Sequence, residues 1–108
     1  MEKLDLGQVK LTQEGVDEII KSPHLSNLKK LSLENNSIQE GVSLLPTPNL
    51  EVLWLAGMSI PTEEILKMGL VPTFNNLKEL TLSHQCYGDQ DQKEIQTMLP
   101  NTDVTFHR

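Results

Sequence analysis

Pairs of leucine spaced by a single residue recur along the chain: Leu4-Asp5-Leu6, Leu31-Ser32-Leu33, Leu53-Trp54-Leu55 and Leu80-Thr81-Leu82. Val104-Thr105-Phe106 forms a fifth, degenerate row, and the offsets between rows are 27, 22, 27 and 24 residues. In four rows an apolar residue stands three positions before the first Leu: Met1, Leu28, Leu50 and Leu77. In the same four rows another stands five positions after the second: Leu11, Ile38, Ile60 and Tyr87. Alternation of this kind places both leucines on one face of a short strand and the residue between them on the other. It predicts strands near residues 3–7, 30–34, 52–56, 79–83 and 103–107. The stretches between them are long enough to cross over and return parallel.

The crossovers carry helix signals of different strength. Thr12 can cap a helix whose Val16, Ile19 and Ile20 share one face and which Pro23 stops. Pro61-Thr62-Glu63-Glu64 opens a second, with Ile65, Leu66 and Met68 apolar and Gly69 placed as its C-terminal stop. Asp89 or Asp91 begins a third, with Ile95, Met98 and Leu99 apolar and Pro100 after it. From Gln39 to Leu45 the crossover is shortest and ends at Pro46-Thr47-Pro48, so a single turn is expected there.

Composition sharpens this picture. Eighteen of the 108 residues are Leu, against four aromatics, Trp54, Phe74, Tyr87 and Phe106. A core drawn so heavily from one side chain points to repetition. Hydrophobic residues at 37%, charged residues at 22% and a net charge of −6 suit a soluble folded domain, expected to be one unit over residues 1–108. The acidic balance argues against a nucleic-acid partner, since only Lys29 and Lys30 stand together. No apolar run has membrane-spanning length, and no membrane association is expected. One cysteine, Cys86, excludes an internal disulfide and points to a reducing, cytoplasmic setting.

Leu28-x-x-Leu31-x-Leu33-x-x-Asn36-x-Ile38 resembles the leucine-rich repeat consensus at every position. Leu11-Thr12-Gln13-Glu14-Gly15-Val16 resembles the loop-to-helix segment of ribonuclease-inhibitor-like repeats, and Gln39-Glu40-Gly41-Val42 echoes it. Ser22-Pro23-His24-Leu25-Ser26-Asn27-Leu28 is similar to inter-repeat segments of bacterial members. The resemblance covers essentially the whole chain. It implies an α/β solenoid, a right-handed β-α superhelix with about five parallel strands on the concave side and helices or turns on the convex side. The chain departs from the pattern at the asparagine position, which is Val9, Met58 and Gln85 in the other repeats. The turns there must satisfy their backbone groups otherwise. The first strand begins so close to Met1 that no capping element is expected before it. That leaves a piece of a longer array, end-to-end self-association through the uncapped strand, or a frayed first strand.

A repeat fold does not give a function, which must come from a surface. Three rows are expected to face solvent on the concave sheet: Asp5, Ser32, Trp54, Thr81 and Thr105 in the centre, Lys3, Lys30, Val52, Glu79 and Asp103 before them, and Gly7, Glu34, Ala56, Ser83 and His107 after them. Trp54 is the sole Trp and stands mid-sheet on the outward side. Two roles fit it: an anchor for a protein partner, or a flat cover over neighbouring strands. Trp54, Ser32, Thr81, Lys30, Glu34, Val52, Glu79 and Asp5 form the candidate binding face. Lys3 and Lys30 lie toward one end and Glu79 and Asp103 toward the other, a gradient that can orient a partner.

Catalytic chemistry is thin. His84 and Cys86 stand two apart, which permits a nucleophile–base pair. Yet Cys86 holds the variable position before the apolar anchor Tyr87, where a small, partly buried thiol is ordinary. The histidines have no metal-ligand spacing and the glycines form no phosphate loop, so no metal and no cofactor are expected. The reading is a non-enzymatic protein-interaction module. A structural segment or cap of a longer array is its rival, and an enzyme using His84 and Cys86 a remote one.

Overall fold

A computed structural model describes residues 3–5, 13–21, 25–34, 36, 47–57, 60–71 and 74–107. Outside the described residues lie Met1, Leu6, Gly7, Val9, Leu11, the Thr12 cap, the Pro23 stop, His24, Ile38, the short crossover at 39–45 and Met58. So do the side chains of Val16 and Ile20 within the first helix.

Five strands, β1 (Lys3–Asp5), β2 (Lys30–Ser32), β3 (Val52–Trp54), β4 (Glu79–Ser83) and β5 (Asp103–His107), form one sheet in sequence order. Every neighbouring pair is parallel. The helices α1 (Gln13–Lys21), α2 (Thr62–Met68) and α3 (Asp89–Met98) lie in three of the crossovers. A parallel sheet whose strands alternate with helices fits an α/β repeat fold. β2 and β3 are shorter than the alternation predicts. β2 ends before Glu34 because Asn36 draws the chain into a turn, its amide donating to the carbonyls of Leu33 at 2.9 Å and Glu34 at 3.2 Å. β3 gives way to a turn at Ala56 and Gly57, whose φ of 80° is open to glycine at no steric cost.

The paired leucines line up layer by layer: Leu4↔Leu31, Leu31↔Leu53 and Leu53↔Leu80. In the three central layers Leu28, Leu31, Leu33, Leu50, Leu53, Leu55, Leu80 and Leu82 expose 0% of their surface. Ile65 and Met68 from α2 and Ile95 from α3 belong to the same cluster, and Ile19 of α1 packs on it, so the helices cover the leucine face. Each such leucine contributes roughly 1.5–3 kcal/mol of gross burial free energy, much of it offset by chain ordering. The outer layers are less covered, with Leu4, Val104 and Phe106 only partly buried against the cluster.

A second repeat runs along the entries to the strands. Four turns close with the same hydrogen bond: Leu28 N–H to Leu25, Leu50 to Thr47, Leu77 to Phe74 and Thr102 to Leu99, each at 3.1 Å. The first residue of each turn is buried and the third is Asn: Asn27, Asn49, Asn76 and Asn101. Two of these asparagines stitch one turn to the turn before it. Asn49 Nδ2 donates to the Ser26 carbonyl at 2.7 Å, and Asn76 Nδ2 to that of Pro48 at 3.3 Å. Asparagine suits this place because it tolerates turn backbone while its amide reaches a carbonyl that the parallel ladder leaves open. Thr102 adds a buried bond from its hydroxyl to the Leu77 carbonyl at 2.9 Å.

The exits from β3 and β4 differ from that of β2 and are tied to each other. After β3, the Gly57 N–H donates to Ser83 Oγ of the neighbouring repeat. After β4, a 3-10 turn over His84–Cys86 leads to Tyr87, whose phenol donates to the Ile60 carbonyl at 2.7 Å. Tyr87 and Ile60 are both buried anchors, so this bond ties the third layer to the fourth. The Tyr87 ring also meets Phe106 edge-on, with centroids 6.0 Å apart.

Gly69 does follow α2, but with φ −72° it is not the left-handed cap that its position predicts. Its absent side chain matters for packing instead. A Cβ there would lie 2.6 Å from the Met98 carbonyl oxygen, so glycine lets the C-terminal ends of α2 and α3 approach.

Candidate functional site

The helices occupy the leucine side of the sheet, leaving the other side to the residues between the leucines. Strand register fixes their order. Lys3, Lys30, Val52, Glu79 and Asp103 are consecutive neighbours across the five strands, and so are Asp5, Ser32, Trp54, Thr81 and Thr105. Ser83 stands beside His107. Glu34 and Ala56 lie in turns beyond the ends of β2 and β3.

Trp54 is half-buried, and the reason is a neighbour. The Lys30 ammonium sits 3.7 Å from the centre of the indole ring, within cation–π distance. Lys30 stands two residues before Ser32, the register partner of Trp54, so its side chain reaches the ring diagonally across adjacent strands. Lys3, Leu4, Asp5, Lys30, Ser32 and Trp54 line an open cleft of about 270 Å³. The indole stands at its β3 side and Lys3 and Asp5 at its β1 side.

Two residues expected to face water do not. Ser32 is 5% exposed, because its short side chain lies between Asp5 and the much larger Trp54. Ala56 is also 5% exposed: it sits in the turn held by the bond from Gly57 to Ser83. Of the other candidates, Asp5 is exposed, while Lys30, Glu34, Val52, Trp54, Glu79 and Thr81 are half-buried. The structure therefore brings Lys30, Ser32, Trp54 and Asp5 together at one cleft and places Glu79 and Thr81 one strand beyond it. Glu34 lies off the strands altogether.

Cys86 is exposed, not the partly buried thiol expected from its position, because the 3-10 turn at the end of β4 swings it away from the core. Burial pushes the Tyr87 phenol well above the usual tyrosine range, and the neighbouring Cys86 adds to that rise. Among the described residues no three His, Cys, Asp or Glu side chains gather where they could hold a metal ion. Among them too, no helix is long and apolar enough to cross a membrane.

Sequence reasoning missed several contacts. The asparagines that link the entry turns recur one position before Leu28, Leu50, Leu77 and Thr102, a spacing legible in the chain. The Ser83 bond to Gly57 and the lysine over the indole needed the register of neighbouring strands. Leu70, just past α2, is 72% exposed and borders a shallow apolar groove with Leu66 and Met98. Nothing in the periodicity marks it.

Comparison with known proteins agrees with the repeat. The Leucine Rich Repeat family model matches residues 27–47, which contain the Leu28–Asn36 motif and β2. The chain is also 35% identical, over 79 residues, to the acidic leucine-rich nuclear phosphoprotein 32 family member A of Drosophila pseudoobscura pseudoobscura. That alignment takes in 66% of this chain and 30% of the relative, so the chain spans under a third of the curated protein it matches. The matched repeat, this distant relative and a parallel sheet whose leucines stack layer on layer together support a leucine-rich repeat protein.

Proposed function

We propose that the chain is a non-enzymatic protein-interaction module that binds a protein partner on the open face of its sheet, centred on Trp54. The observation that carries this reading is an indole at the middle of the sheet face opposite the helices. It is half-exposed and borders an open cleft. Tryptophan in such a place supplies large contact area at low entropic cost, and partly exposed aromatics dominate binding energies more often than their number warrants. Trp54, Lys30, Ser32, Thr81, Val52, Glu79 and Asp5 form the contact surface, with Glu34 at its rim. In this reading residues 1–108 act as one repeat domain, the sheet lines the inside of a curved, right-handed solenoid, and the helical crossovers follow the ribonuclease-inhibitor-like pattern. The partner is neither a nucleic acid nor a membrane, because the face carries both signs of charge and no basic patch. A reducing compartment, the cytoplasm, suits its lone exposed thiol; the relative's name places that protein in the nucleus, where disulfides are equally rare.

Pull-down from cell extract with wild type and Trp54→Ala tests the reading. A partner held by wild type and lost from Trp54→Ala is expected. A partner retained equally by both moves the site elsewhere.

A second reading draws on the outer layers, where Leu4, Val104 and Phe106 are less covered than the leucines between them. There the chain serves as a structural segment, stacking on further repeats or on a second copy through β1. Light scattering that reports a stable dimer, undisturbed by Trp54→Ala, would favour it.

A further inference from the structure

Like charges stand side by side at both ends of one row. Lys3 and Lys30 are register neighbours across β1 and β2, and Glu79 and Asp103 across β4 and β5, with Val52 between them. Directly opposed like charges oppose sheet formation, so neither pair earns its place by stabilising the sheet. The nearby row one position away behaves differently: there Lys78 and Glu51 pair at 3.2 Å. Opposite charges are thus matched beside the strands and segregated along this one row, while Asp5 in the next row of the same face lies in the cleft with the two lysines.

We propose that the open face selects its partner by charge polarity. It takes an extended protein segment laid across the strands, with carboxylates over Lys3 and Lys30, an apolar residue over Val52 and Trp54, and basic side chains over Glu79 and Asp103. This rests on the reading of the open face as the binding surface. The Lys30 ammonium already covers the indole ring, so a cationic group cannot use that face of Trp54 without displacing it. A carboxylate is instead drawn to the adjacent ammonium groups of Lys3 and Lys30, which it shares with Asp5 of the same cleft. Four strand-to-strand steps of about 4.8 Å span roughly 19 Å, the reach of about six extended residues. Alternate side chains of such a segment point at the face, which suits one contact at each end and one in the middle.

Three synthetic eight-residue peptides test this against the full chain by fluorescence anisotropy. All share a leucine and a phenylalanine at the centre. One carries three glutamates before and three lysines after, one carries glutamates at both ends, and one lysines at both ends. The mixed peptide is expected to bind about tenfold more tightly than either control at low ionic strength, with the gap closing as salt rises. Lys3→Glu combined with Lys30→Glu is expected to reverse the preference toward the all-lysine peptide. Lys3→Gln with Lys30→Gln, a milder pair, is expected to abolish it without reversal, and circular dichroism confirms folding of both. Equal binding of the three peptides, or binding of none, overturns the proposal. Equal binding that disappears in Trp54→Ala leaves the open-face reading standing and removes only the polarity. Binding of any peptide that Trp54→Ala leaves unchanged removes both.

Discussion

Leu53 and Trp54 are adjacent in β3, yet they belong to different parts of the protein's physical chemistry. Leu53 points into the cluster between sheet and helices and exposes none of its surface. Trp54 points the other way, under a lysine, beside a cleft open to water. On the leucine side, neighbouring layers repeat one solution, with Leu31, Leu53 and Leu80 in register. On the open side no two layers carry the same residue in the central row except the outer threonines, Thr81 and Thr105. Repetition marks the face that holds the fold, and variation marks the face that the core does not constrain.

Emptying the leucine face gives the largest expected effect. Leu53→Ala removes a fully buried side chain from the central layer, flanked by leucines on both neighbouring strands. A loss of about 2–5 kcal/mol in urea unfolding is expected, enough to leave a small domain marginal.

The link between the third and fourth layers ranks next. Tyr87→Phe keeps the ring packing against Phe106 but leaves the Ile60 carbonyl without its donor, for a cost of about 1–3 kcal/mol. The same residue gives the comparison a pH axis. The folded state holds the phenol neutral above the range in which an unfolded tyrosine ionises, so its contribution is complete below about pH 10. It is lost as the pH climbs from there toward the raised folded value. Wild type is therefore expected to lose stability above pH 10 more steeply than Tyr87→Phe, measured by urea midpoints across that range. Parallel curves would contradict the assignment.

A smaller effect is expected where the layers are stitched at the surface. Asn49→Ala removes the bond to the Ser26 carbonyl, in an exposed turn where water can replace it. About 0.5–1.5 kcal/mol is expected in the same assay, with amide exchange quickened at the turn from Thr47 to Leu50. An unchanged exchange rate there would show that the asparagine stitch holds nothing.

The leucine face was legible in the chain because burial imposes one chemistry at fixed spacing. Leu31, Leu53 and Leu80 fall in register, and Ile60 and Tyr87 are buried where the pattern puts anchors. The open face was legible only as a set of positions. Which of them meet depends on side chains reaching across strands whose register the sequence implies but whose rotamers it does not. Hence the sequence does not show Lys30 over Trp54, and Ser32, a small hydroxyl whose position predicts exposure, is buried between larger neighbours. Strand lengths failed for a related reason. Alternation continues through Leu33 and Leu55, but Asn36 and the Gly57 bond to Ser83 bend the backbone just beyond those leucines. The entry asparagines were visible as a recurrence, but asparagine is so common in turns that its spacing alone does not distinguish a stitch from a loop.

The division between the two faces is tested most directly by urea unfolding of Trp54→Ala, followed by circular dichroism because the fluorophore is gone. The ring is half-buried and held by one cation–π contact, so an unfolding free energy within about 1 kcal/mol of wild type is expected. A loss as large as that of Leu53→Ala would contradict the division, because the indole would then hold the fold as the leucines do.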